Sequence, residues 1–87
     1  MKLLPIGYAN FINKERIISI VSPDTSPVKR IISEARTNNM LVDATCGRKT
    51  RSVFVIDSGH VVLSAVQLAT MAKRIDKNLK ETDFLDN

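Results

Sequence analysis

The chain has 87 residues, of which 44% are hydrophobic and 25% charged, with three glycines and three prolines; these values describe one small folded domain and exclude a disordered or low-complexity chain. Thirteen Lys and Arg against nine Asp and Glu give a net charge of +4, and because ETDFLDN at residues 81–87 holds three acids and no base, residues 1–80 carry +7. A single cysteine, Cys46, excludes an internal disulfide and lacks the paired spacing of a metal or redox motif, and no run approaches the roughly 18–20 apolar residues of a membrane span. The expected organisation is one domain over 1–80 followed by an acidic, disordered tail over 81–87, in a reducing cytoplasmic setting with no readable secretion signal.

In chain order, KLLPIGY and NFIN each offer a short edge strand, Pro5 arguing against a central position. RIISIV at 16–21 is rich in β-branched residues and stops at Ser22-Pro23, as a buried strand does. Ser26-Pro27 predicts a helix start with Ser26 as N-cap, followed by an apolar stripe of Val28, Ile31, Ile32 and Ala35 and an end at Asn38-Asn39. Met40–Thr45, Ser52–Asp57 and VVLSA at 61–65 predict a three-stranded antiparallel meander, with Cys46–Lys49 as the first hairpin turn and Asp57–His60 as the second. Ser64 with Gln67 matches a capping box for a second helix carrying Leu68, Met71, Ala72, Ile75 and Leu79 on one face and Lys73, Lys77 and Lys80 on the other. The fold class is α+β, an antiparallel sheet with two amphipathic helices in the order β(β)αβββα. SVFVI at 52–56 is apolar on both faces, which calls either for a subunit interface or for a strand sandwiched by both helices within one chain.

The inventory argues against catalysis. The sole histidine, His60, sits in a turn beside Asp57 and Gly59, without an oriented nucleophile or oxyanion site. Asp43, between Val42 and Ala44, reads as a structural acceptor or ion-pair partner. Gly47-Arg48-Lys49-Thr50 fails as a phosphate-binding loop, because residue 42 is Val where the earlier glycine belongs. No cofactor or metal is expected. What stands out is CGRKTR at 46–51, with three bases in four positions and no acid: Arg48 and Arg51 suit bidentate contact to phosphate or guanine, and Lys49 suits a point charge. The competing reading is a solvated charged turn. The lysine face of the second helix has the same plain explanation. One Tyr, three Phe and no Trp leave little for base stacking, so duplex backbone binding fits better than single-strand recognition.

IVSP-x-x-SP-x-KR at 20–30, DAT-x-GR at 43–48, TR at 50–51 and DS-x-H-x-x-LSAVQ at 57–67 together resemble the RemA family of bacterial extracellular-matrix regulatory proteins, over residues 3 to about 75. The resemblance implies a fold like the LytTR-type domain and a non-catalytic transcriptional activator of biofilm-matrix operons, in some members also of osmoprotection genes. It also implies closed rings of seven or eight subunits whose basic rim contacts double-stranded DNA in the nucleoid. Family DNA-contacting arginines match Arg16, Arg48 and the position of Lys49; lysine at 49 keeps the charge and loses the bidentate geometry. Cys46 stands where a relative has tyrosine. With Arg51 added from the basic loop, the expected contact set is Arg16, Arg48, Lys49 and Arg51. An RNA-binding protein, or an adaptor for an acidic protein partner, is the alternative.

Overall fold

A four-stranded mixed sheet forms the centre of the computed structural model, which describes residues 1–84. The strands are β3 (Ile17–Val21), β4 (Leu41–Asp43), β5 (Ser52–Ile56) and β6 (Val61–Ser64), arranged β3-β5-β6-β4. A separate antiparallel hairpin, β1 (Leu3–Gly7) and β2 (Asn10–Asn13), precedes them. Its turn residues Tyr8 and Ala9 both take positive φ, as the tight turns matching strand twist require. Helix α1 (Ser26–Thr37) joins β3 to β4, and α2 (Leu68–Ile75) follows β6.

β5 pairs antiparallel with β3 and β6, while β4 pairs parallel with β6. β3 and β4 therefore run the same way at opposite edges, and parallel strands need a crossover, here α1. In crossing, α1 lays Val28 and Ala35 on Val53, Val61 and Leu63. The other face is covered by α2 and the N-terminal hairpin, with Met71, Leu4 and Ile6 on Phe54, Val62 and Ala44. Alternation along β5 thus sends Val53 to one core and Phe54 to the other, both fully buried. Of the two explanations for that two-faced strand, coverage by both helices within one chain is the one realised. Burying side chains of this size contributes about 1.5–3 kcal/mol each, and Val53 and Phe54 tie β5 to both layers.

Four expectations change. The antiparallel meander over 40–65 is not formed: β6 lies between β4 and β5, so Cys46–Lys49 is not a hairpin turn but part of a connection that rounds the C-terminal end of β6. The reason is local, because the Asp43 carboxylate accepts from the Thr45 amide (2.9 Å) and hydroxyl (2.6 Å) and turns the chain out of the strand after three residues. Ser64 caps no helix. It is fully buried in β6, donating to the Ile6 carbonyl at 2.8 Å and accepting from the Val66 amide, and so ties the hairpin to the sheet. Thr25 rather than Ser26 is the N-cap residue of α1, with no side-chain cap bond and Pro27 inside the first turn. The two N-terminal strands pair with each other instead of extending the main sheet. Glu81–Phe84, in the segment expected as the tail, form a short 3-10 turn, and 85–87 lie outside the described residues.

Candidate nucleic-acid interface

The connection carrying Arg48, Lys49 and Arg51 is pinned at both ends by the strand it rounds. The Ala44 amide donates to the Leu63 carbonyl (2.9 Å) and the Arg51 amide to the Ser64 carbonyl (2.8 Å), while Ser52 Oγ donates to the Val66 carbonyl (2.8 Å). Ala44 and Thr45 are buried on one side of the loop and Ser52 on the other. Between these anchors Cys46 and Gly47 both take positive φ, 55° and 78°, and the Arg48 amide closes back on the Thr45 carbonyl. Glycine meets that conformation at no steric cost, and two such residues in succession reverse the chain sharply. The three basic side chains are exposed, and among the described residues none has an ion-pair partner or a side-chain hydrogen bond.

Asp43 anchors the base of this loop. Its carboxyl is held below the ordinary value of 3.8, first by the Thr45 hydroxyl, then by the Thr45 amide, with a smaller contribution from the Arg36 charge. That is the structural acceptor read from the sequence. Beside the loop lies a cleft of about 490 Å³, lined by Lys49, Thr50 and Arg51 together with Asp24, Gln67 and Asp83.

Arg16 stands elsewhere. It ends a 3-10 turn, Lys14–Arg16, capped by the Asn13 carboxamide oxygen, which accepts from the Glu15 amide. Ile17 then pairs with Ile56, so Arg16 lies at the C-terminal end of β5 while Arg51 immediately precedes its N-terminal end. From Arg51 across the five-residue β5 to Asp57, the backbone neighbour of Arg16, six steps at about 3.3 Å each separate the two regions by roughly 20 Å. Within one chain, then, Arg48, Lys49 and Arg51 come together and Arg16 forms a second basic point. The Arg16 Nε donates to Asp57 Oδ2 at 2.7 Å, a contact that sequence reasoning missed. The signal available was Asp57 at the start of the quoted DS-x-H run, 41 residues from Arg16 and visible as its neighbour only once β3 and β5 are paired.

The basic face predicted for the second helix is partly consumed internally. Lys73 pairs with Glu81 at 3.0 Å and sits 5.7 Å over the Phe84 ring, and Arg74 donates to the Pro5 carbonyl at 3.0 Å. Lys77 and Lys80 follow the end of α2. His60 accepts or donates at Nδ1 opposite the Ser58 hydroxyl, 2.7 Å away within its own turn. Among the described residues no group of three or more His, Cys, Asp or Glu side chains is placed to hold a metal ion, and no helix is long and apolar enough to cross a membrane.

The model of the RemA-like family, extracellular matrix regulatory protein A-like, matches residues 3–75. The chain belongs to the RemA-like family. Its relatives share the domain from end to end: a Brevibacillus brevis protein is 58% identical over 83 residues, covering 95% of this chain and 96% of its own. A Dictyoglomus turgidum protein is 53% identical, covering 95% and 98%, and one from Acaryochloris marina is 55% identical, covering 95% and 97%. Each is named "Putative regulatory protein". The 3–75 segment that the RemA-like family model matches carries both basic regions.

Proposed function

We propose that the chain is a duplex-DNA-binding transcriptional regulator, an activator of matrix genes in the manner the RemA resemblance implies, working as a homo-oligomeric ring with Arg16, Arg48, Lys49 and Arg51 on its DNA-facing rim. The observation that carries this reading is the loop of three exposed cations, pinned by backbone hydrogen bonds and without a partner among the described residues. An ion-paired surface cluster would already have spent its charge; this one has not. A spacing of about 20 Å to Arg16 exceeds the roughly 12 Å and 6 Å widths of the major and minor grooves, so one subunit can reach phosphates on both sides of a groove.

Association is supported by where the exposed apolar residues fall. Ile18 on edge strand β3, Val42 on edge strand β4, and Leu3 and Phe11 on the hairpin are 65%, 46%, 60% and 56% exposed. The main sheet has two open edges facing opposite ways, and a head-to-tail contact between unlike surfaces closes into rings when its rotation permits. Repetition around a ring turns a modest contact per subunit into avidity.

Titration with duplex DNA, single-stranded RNA and heparin at two salt concentrations, alongside light-scattering mass, tests the proposal. The expected result is a multimer that prefers duplex, with affinity falling steeply with salt at a slope of about −0.9 per neutralised phosphate. A monomer, or absence of duplex binding at low salt, overturns it. Preference for RNA, or for an acidic protein in place of nucleic acid, moves the reading to the alternative classes.

A further inference from the structure

We infer that Asp57 is a positioning residue for nucleic-acid contact by Arg16: a carboxylate that strengthens binding to a polyanion by holding the arginine which meets it. The inference rests on the duplex-binding reading above. Arg16 is held by Asp57 twice. The Asp57 amide donates to the Arg16 carbonyl at 3.0 Å, and the Asp57 carboxylate takes the Arg16 Nε–H at 2.7 Å. The backbone bond continues the β3–β5 ladder by one step past Ile17–Ile56, so the carboxylate projects from a fixed point beside the arginine's own main chain.

The choice of nitrogen decides what the contact can do. A guanidinium has five N–H donors, one on Nε and four on the two terminal nitrogens. Asp57 uses a single oxygen on Nε, and among the described residues the terminal nitrogens have no hydrogen-bond partner. A bidentate fork from Asp57 would have occupied the edge that reads phosphate or guanine; binding at Nε leaves the terminal pair available. The Arg16 side chain remains 56% exposed and that of Asp57 43%, and both border a shallow depression of about 270 Å³ with Ile12, Asn13, Ile56 and Ser58. A free arginine must freeze several rotatable bonds when it binds, whereas one already tethered at Nε has lost most of that freedom before the ligand arrives.

Electrostatics alone predicts the opposite sign. A carboxylate on a DNA-facing surface repels phosphate within the Debye length of about 8 Å at physiological salt, so deleting its charge should tighten binding. Asp57→Asn keeps the size of the side chain and removes the charge that holds Nε. Duplex affinity of Asp57→Asn, Arg16→Ala and the double variant, measured by fluorescence anisotropy beside wild type, separates the two accounts. The expected result is a loss of about two- to fivefold per engaged subunit for Asp57→Asn, the scale set by an exposed ion pair, and no further loss when it is added to Arg16→Ala. Melting temperatures stay together across the set, because an exposed pair contributes little to stability; a merely structural Asp57 would lower the melting temperature in both backgrounds. Tighter or unchanged binding by Asp57→Asn, or an equal loss in the Arg16→Ala background, overturns the inference while wild-type binding leaves the proposed function standing. Absence of duplex binding by the wild type overturns the function and this inference with it.

Discussion

The two basic regions at the ends of β5 differ in how their charges are held. The 48–51 loop has a pinned backbone and free side chains: its ends are bonded to Leu63 and Ser64, and none of its three cations is ion-paired among the described residues. Arg16 has the reverse character, a single cation whose side chain is tethered by Asp57. A cluster of free cations supplies most of a salt-dependent affinity, whereas one tethered arginine supplies direction. On the proposed reading, the loop at one end of β5 supplies charge and Arg16 at the other supplies geometry.

The most severe way to break that comparison is to remove what both regions share. Phe54 lies at the middle of β5, fully buried between Met71, Val62 and the hairpin. Phe54→Ala should cost about 3–5 kcal/mol of stability, read from urea unfolding, and weaken both regions together; loss at one end only would show that the ends do not depend on a common frame. Next in size is Arg48→Ala combined with Arg51→Ala. Duplex affinity should fall about tenfold or more, with the salt slope reduced by about 1.8 per engaged subunit, twice the change from Arg16→Ala. Should the single Arg16→Ala variant lose more than the double one, the assignment of charge to the loop and direction to Arg16 is reversed.

The smallest effect concerns the loop's anchor. Asp43 has its pKa lowered in the folded state by the Thr45 hydroxyl and amide, so its contribution to stability is present above the unfolded value near 3.8 and is lost as pH falls through the lower folded value. Wild type should therefore lose stability as pH falls from the neighbourhood of 3.8 through the lower folded value, and Asp43→Asn should flatten that acid limb in urea midpoints. An unchanged limb would remove Asp43 from the set of loop anchors.

Much of the fold was legible because its signals are local. The stripe Val28, Ile31, Ile32, Ala35 marks a helix by its spacing alone, and the Asn38-Asn39 stop works because Asn39 accepts a φ of 58°. CGRKTR announces its charge by composition. Strand neighbours are another matter, since two strands joined by a short loop read as a hairpin whether or not a third strand lies between them. Here the Asp43–Thr45 turn and the insertion of β6 make the difference. Ser64 misled for a related reason: Ser followed by Gln three residues on is a capping pattern, but burial in β6 gave the hydroxyl a better partner in the Ile6 carbonyl.

By itself the sequence determined the class of elements, the α+β composition and the charge of the 46–51 segment, because each depends on residues within about ten positions of one another, and the four short motifs between 20 and 67 carried the family resemblance. Only the tertiary structure decided that Arg16 and the loop occupy opposite ends of one strand, that β4 runs parallel to β6, and that Asp57 holds Arg16. Those facts depend on which strands pair and in what register, and register is set by burial of Val53 and Phe54 on opposite faces of a sheet whose layers come from distant parts of the chain.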